Sequence, residues 1–100
     1  MNQNIPNFEL WQKAHQLLMA VYRLVNIFPS QRRHSIGSEL KHSANGALAK
    51  IACSKFSLAH DKILETLSNL EVAKGLRLAK NTNFQILSRE YQKLAEEIRG

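Results

Sequence analysis

The sequence is poor in the residues that constrain or decorate a fold. One cysteine, two prolines and four glycines occur in 100 residues. The single Cys53 excludes an intramolecular disulfide framework and every multi-cysteine zinc site, and it fits a reduced, cytoplasmic location. Set in an alanine-rich helical stretch with no cation and base beside it, Cys53 reads as a buried, inert thiol rather than a nucleophile. Long apolar runs are missing too. The longest, Leu17 to Tyr22, covers six residues, against the ~20 that a membrane-spanning helix needs. Residues 1–6 (Met-Asn-Gln-Asn-Ile-Pro) form a short polar leader with no apolar core, and no basic residue precedes Lys13, so neither a signal peptide nor a transit peptide is expected. β-branched residues never cluster with period two, which removes the strand signal.

The equipment of an active site is equally sparse. His15, His34, His42 and His60 do not stand with a second ligand at metal spacing. Glu65 and Glu71 are not spaced to share a helix face as an acid–base pair, and Glu96-Glu97 is a solvated terminal pair. Gly37, Gly46 and Gly75 are isolated and form no phosphate-cradling loop. Trp11 and Tyr22 read as core or inter-subunit packing. No catalytic residue, metal, cofactor or small-molecule substrate is expected, and the chain reads as a non-enzyme.

What remains is helical periodicity. Trp11, Ala14, Leu18, Val21, Val25 and Phe28 recur at spacings of three and four, one face of a helix over about residues 7–28. Leu10, Leu17 and Leu24 add a second line, so this helix has neighbours on two sides. Phe28-Pro29 ends it, because the residue before proline is pushed out of helical geometry. A second segment, about residues 32–54, carries Ile36, Leu40, Ala44, Ala47 and Ile51 among many small residues, with Ser30 or Ser35 as its cap. Its link to the next segment has no glycine or proline. The third segment, about residues 56–80, is built on Phe56, Ile63, Leu67, Leu70 and Leu78, widened by Leu64 and Leu76. Asn81-Thr82-Asn83 is the next break, and a fourth helix is capped by Ser88 and lined by Tyr91, Leu94, Ala95 and Ile98, with Lys93 pairing Glu97 at i,i+4. The expectation is one domain over residues 1–100: an all-α, antiparallel up-down-up-down four-helix bundle with a short fourth helix.

Charge is the functional signal. Fourteen Lys and Arg face eight Asp and Glu, a net +6. Residues 30–60 carry Arg32, Arg33, Lys41, Lys50 and Lys55 against Glu39, a local +4, together with His34 and His42. A smaller cluster, Lys74, Arg77 and Lys80, lies at i, i+3, i+6. Lysine and especially the planar arginine fork suit phosphate, so these eight residues are the candidate nucleic-acid contacts. No aromatic residue interleaves with them in the sequence, which argues against base stacking. No glycine turn of a helix-turn-helix, zinc finger or RNA-binding signature is present. The opposing reading is a structural or protein-interaction oligomer whose charge serves solubility.

A resemblance adds to this. Asn7-Phe-Glu-Leu-Trp-Gln-Lys-Ala-His15, Val21-Tyr-Arg-Leu24 and Phe28-Pro29 resemble the first helix of the four-helix-bundle superfamily that includes the proteins encoded in 23S ribosomal RNA intervening sequences and the accessory variability determinant (Avd) proteins of diversity-generating retroelements. Arg33-His34, Ile36-Gly37-Ser-Glu-Leu40, Leu70-Glu71, Leu76-Arg77-Leu78-Ala79-Lys80, Leu87-Ser-Arg-Glu-Tyr91, Leu94 and Ile98 are similar to the Avd branch in order and spacing. Ala49-Lys50-Ile51-Ala52-Cys53 stands where the intervening-sequence branch usually has an Asn-Ile-Ala-Glu-Gly-like stretch. The resemblance implies a non-enzymatic accessory protein, a homopentamer of four-helix protomers. It implies binding of template RNA or DNA and association with the element's reverse transcriptase in mutagenic reverse transcription. The alternative is an intervening-sequence-type bundle acting as an oligomeric protein-interaction module.

Overall fold

The computed structural model describes residues 5–99; most of the leader, Met1 to Asn4, and Gly100 lie outside the described residues. Four long helices, α1 (Phe8–Ile27), α3 (Ile36–Ala52), α4 (Phe56–Gly75) and α5 (Asn81–Arg99), are joined by short links, the first of which contains the one-turn α2 (Ser30–Arg33). No strand occurs among the described residues. The bundle measures 38 × 24 × 19 Å. Each long helix packs mainly on two others: α1 on α3, α3 on α4, α4 on α5, and α5 back on α1.

Residue numbers run in opposite senses across the α3–α4, α1–α3 and α1–α5 seams. Asn69 Nδ2 donates to the Glu39 carbonyl at 3.3 Å and Thr66 Oγ1 to Ser43 Oγ at 2.9 Å. Tyr22 meets Lys41 on the α1–α3 side. On the α1–α5 side Phe28 packs against Phe84, with ring centroids 6.3 Å apart, and Lys13 reaches Glu97.

The expected stripes form the core. Val21, Val25, Phe28, Leu40, Ala47, Ile51, Ile63 and Leu70 are fully buried, each large aliphatic contributing about 1.5–3 kcal/mol by leaving water. Trp11 stops at half-buried. Leu64 and Leu76, expected to widen the core, are 51% and 41% exposed. The buried arc of α4 runs through Ala59, Ile63, Thr66, Leu70 and Ala73; Leu64 lies about 100° round the helix from Ile63, and Leu76 is already the C-cap. Tyr91 is buried, and its hydroxyl has no hydrogen-bond partner; burial holds its pKa well above the usual phenol value.

The helix ends correct several sequence expectations. Phe28 is extended, at ψ 149°, ahead of Pro29, as the proline demands. Of the two candidate serines, Ser30 is the first residue of α2, whereas Ser35 takes the N-cap position of α3 without a side-chain cap bond, its hydroxyl turning back to the Arg32 and Gln31 carbonyls at 3.3 and 3.5 Å. The third segment stops at Gly75, short of Lys80. There Leu78 N–H bonds the Ala73 carbonyl and Arg77 N–H the Lys74 carbonyl, at 3.3 and 3.0 Å, with Arg77 left-handed at φ 58°. That is the Schellman pattern, with arginine where glycine is usual. The α3–α4 link repeats it without glycine: Lys55 N–H bonds the Lys50 carbonyl at 2.8 Å, Ser54 N–H the Ile51 carbonyl at 3.0 Å, and Ser54 has φ 57°.

The fourth long helix is not short. It begins at Asn81 and runs 19 residues, so the polar Asn81-Thr82-Asn83 break is its first turn and Ser88 lies mid-helix. Phe84 and Leu87 are buried and extend the Tyr91–Leu94 stripe toward the N-terminus at the same spacing. No glycine or proline interrupts it.

Candidate nucleic-acid interface

The opposed pairings decide where the basic residues go. The links at residues 28–35 and 76–80 lie at one end of the bundle; the α3–α4 link lies at the other, with the start of α1 and the end of α5. Arg32 and Arg33, exposed on α2, therefore share an end with Lys74 in the last turn of α4 and with the exposed Arg77 and Lys80 in the α4–α5 link. Residues 28–38 and 73–84 together hold these five cations and no aspartate or glutamate. This is the cationic end.

Lys50 and Lys55 do not join it. Lys50 sits in the last turn of α3 and Lys55 at the N-cap of α4. The 17 residues of α3 set them roughly 25 Å from Arg33 at 1.5 Å per residue. The +4 counted along residues 30–60 is therefore split between two ends, a division invisible to counting along the chain. Lys41 lies between, on the α1–α3 side, with its Nζ 4.7 Å from the centroid of the Tyr22 ring. Sequence reading separated aromatics from the basic cluster; the antiparallel pairing brings this pair together across 19 positions.

The cationic end is free to receive an anion. The ion pairs among the described residues are Lys13–Glu97 at 2.7 Å, Lys62–Glu65 at 3.2 Å and Lys93–Glu90 at 3.3 Å, and none engages any of the eight nominated residues. The expected Lys93–Glu97 pair is absent because Glu97 turns across to α1 and Lys93 back to Glu90. Arg33 uses only its Nε, donating to the Phe28 carbonyl at 3.0 Å; this holds the guanidinium at the C-terminus of α1 with its Nη groups free. A polar hollow in the α4–α5 link is lined by Lys74, Gly75, Arg77, Ala79 and Asn81, with Glu71 at one wall. The first turn of α5, which carries no acidic residue, opens beside it; Asn83 N–H bonds the Lys80 carbonyl at 3.0 Å, and a helix N-terminus favours negative charge. Arg77 occupies a left-handed conformation that costs an L-residue about 1–2 kcal/mol. Asn7 and Ser54 hold the same conformation, at φ 56° and 57°.

Elsewhere the chemistry is thin. Among the described residues no three of His, Cys, Asp and Glu come together as a metal site. Cys53 is exposed, not buried as its neighbours suggested, because the α3–α4 turn lifts it off the core as the C-cap of α3. No helix of the described residues is long and apolar enough to cross a membrane. Two apolar surfaces remain open, the first of them on the second apolar line of α1, Leu17 and Leu24. One is a groove between α1 and α5 lined by Leu17, Ala20, Leu24, Ile27, Ile86 and Leu87, with Arg23 and Glu90 on its rim. The other is the outer side of α4, where Leu58, Leu64 and Val72 are each about half exposed. No protein-family model and no curated protein matches the chain.

Proposed function

We propose that the protein binds nucleic acid through the cationic end of an antiparallel up-down-up-down bundle, with Arg32, Arg33, Lys74, Arg77 and Lys80 on phosphate. The observation that carries this reading is five unpaired cations at one end, with no acidic residue in the two stretches that form it. Phosphate contact by lysine and arginine releases counterions, so affinity falls with salt. For five contacts the slope of log K against log salt should be about −3.5 to −4.5. A salt series with a labelled oligonucleotide measures it; a flat response, or no binding at low salt, overturns the reading.

The resemblance to Avd proteins extends this to a non-enzymatic accessory role in a diversity-generating retroelement, with a reverse transcriptase as protein partner and a homopentamer as the working form. The opposed pairings across the seams support the bundle topology, and the α1–α5 groove and the outer side of α4 support burial against other subunits or proteins. Co-purification with the reverse transcriptase and a solution mass measured by light scattering test these two points. A second reading, an oligomeric protein-interaction module with incidental charge, draws on the same apolar surfaces. It expects partner binding to survive charge reversal at Arg32 and Lys80, whereas the nucleic-acid reading expects nucleic-acid binding to be lost.

A further inference from the structure

The side of α1 that borders α3 carries an unusual row. Phe8, Trp11, His15, Met19 and Tyr22 recur at three- and four-residue spacing and so lie within one narrow arc of the helix. Phe8, Trp11 and His15 stack in a column, with centroids 5.8 and 5.1 Å apart and planes 15° and 7° from parallel. Each of these rings is half-buried, and Tyr22 is 40% exposed with Lys41 beside its face. The row runs toward the cationic end, where Arg32 and Arg33 follow α1 directly. Helices α1 and α3 carry one acidic residue each, Glu9 and Glu39. Glu39 lies about 160° round α3 from Lys41, and Glu9 about 100° round α1 from Phe8. Trp11 and Met19 pack partly against the core, and the aromatic surface left over stays accessible along a path that starts in arginine.

We infer that this α1–α3 face takes single-stranded nucleic acid, with bases against the Tyr22–Phe8 row and the backbone led in from Arg32, Arg33 and Lys41. The inference rests on the nucleic-acid reading above and narrows it from any polyanion to an unpaired strand. Aromatic surface and cations in one track are how proteins hold single strands without sequence preference, because every base has a π-face and every nucleotide a phosphate. A duplex hides its base faces and can use only the cations.

Trp11 is the only tryptophan and lies in the row, so its emission reports occupancy. The test titrates an oligothymidylate of about eight nucleotides, a length within the usual single-strand site size, and a duplex of equal length into the wild type, Tyr22→Ala and Lys41→Gln, with circular dichroism confirming helix content. The single strand should quench Trp11 and bind about tenfold more tightly than the duplex. Tyr22→Ala should weaken single-strand binding by about tenfold and leave duplex binding unchanged, and Lys41→Gln should weaken single-strand binding by a few-fold. If duplex and single strand bind equally with Trp11 emission unchanged, the inference fails while the phosphate reading stands. If neither binds, both fail. Displacement of the oligothymidylate by equimolar polyglutamate would also overturn it, making the face a site for acidic protein. Should Tyr22→Ala not fold, Lys41→Gln and the wild-type emission decide the matter.

Discussion

The two ends of the bundle contain similar numbers of cations and treat them differently. At the end holding the start of α1 and the close of α5, Lys13, Lys50, Lys55, Lys62, Lys93 and Arg99 stand among Glu9, Asp61, Glu96 and Glu97, and Lys13 is held by Glu97 at 2.7 Å. At the other end Arg32, Arg33, Lys74, Arg77 and Lys80 have no acidic neighbour in their stretches. Both ends close a helix with a left-handed residue in place of glycine, Ser54 at one and Arg77 at the other. Lys50 and Lys55 form no ion pair either, so the difference lies in how many acidic residues share the end rather than in the count of cations. Net charge describes solubility and steering, whereas a local excess of unpaired cations describes a place where phosphate can sit.

The largest expected effect breaks the comparison outright. Arg32→Glu with Lys80→Glu should lower oligonucleotide affinity about 100-fold at low salt, whereas Lys50→Glu with Lys55→Glu should lower it no more than about threefold, measured by fluorescence anisotropy. Equal losses would mean that the ends are equivalent. Next, Gly37 sets how closely α1 and α3 approach below the cationic end: an added Cβ would lie 2.7 Å from Val25 Cγ1 and 3.1 Å from the Arg32 carbonyl oxygen. Gly37→Ala should cost about 1–3 kcal/mol by denaturant titration. Gly46→Ala meets only the flexible Lys62 side chain, at 3.2 Å, and should gain about 0.5–1 kcal/mol. The two turns then separate strain from function. Ser54→Gly and Arg77→Gly should each raise stability by about 0.5–1 kcal/mol, but only Arg77→Gly should weaken nucleic-acid binding. Last, Glu97→Gln should shift stability by less than about 1 kcal/mol, since exposed ion pairs contribute little, and should raise oligonucleotide affinity slightly by freeing Lys13. No gain in affinity there would show that pairing is not what silences that end.

The helical stripes were legible because burial imposes its period on the sequence: Ile36, Leu40, Ala44, Ala47 and Ile51 announced α3 and are all buried. The start of α5 was not. Asn, Thr and Asn mark a break in a linear reading, yet the same residues suit a helix N-terminus, and only the burial of Phe84 and Leu87 tells which applies. The basic residues were legible as a list but not as a site. The opposed pairings put Lys80 at the same end of the bundle as Arg33 and Lys50 at the other, so proximity along the chain misled in both directions. Tyr22 and Lys41 were missed for the same reason. Cys53 was misjudged because Ala44 and Ala47 of the same stretch belong to the buried side of α3, while Ala49 is exposed and Cys53 itself belongs to the turn.

Ser43, Thr66 and Asn69 join α3 to α4 through hydroxyl and amide bonds of 2.9 to 3.3 Å. Most other contacts on that seam are between small or aliphatic side chains, which would tolerate a displacement of one helical turn. The polar trio would not: sliding α4 by about 5.4 Å would break the Thr66–Ser43 and Asn69–Ser43 bonds, at about 0.5–1.5 kcal/mol each, leaving each hydroxyl only the carbonyl of its own helix, Lys62 for Thr66 and Leu40 for Ser43. It works as a key in a keyway, admitting one alignment of two otherwise interchangeable rods. Because Lys74 and Arg77 flank the end of α4 at Gly75, and Arg32 and Arg33 shortly precede the start of α3 at Ile36, that alignment fixes the height of one pair of cations against the other, and so the spacing at which an anionic chain would meet them.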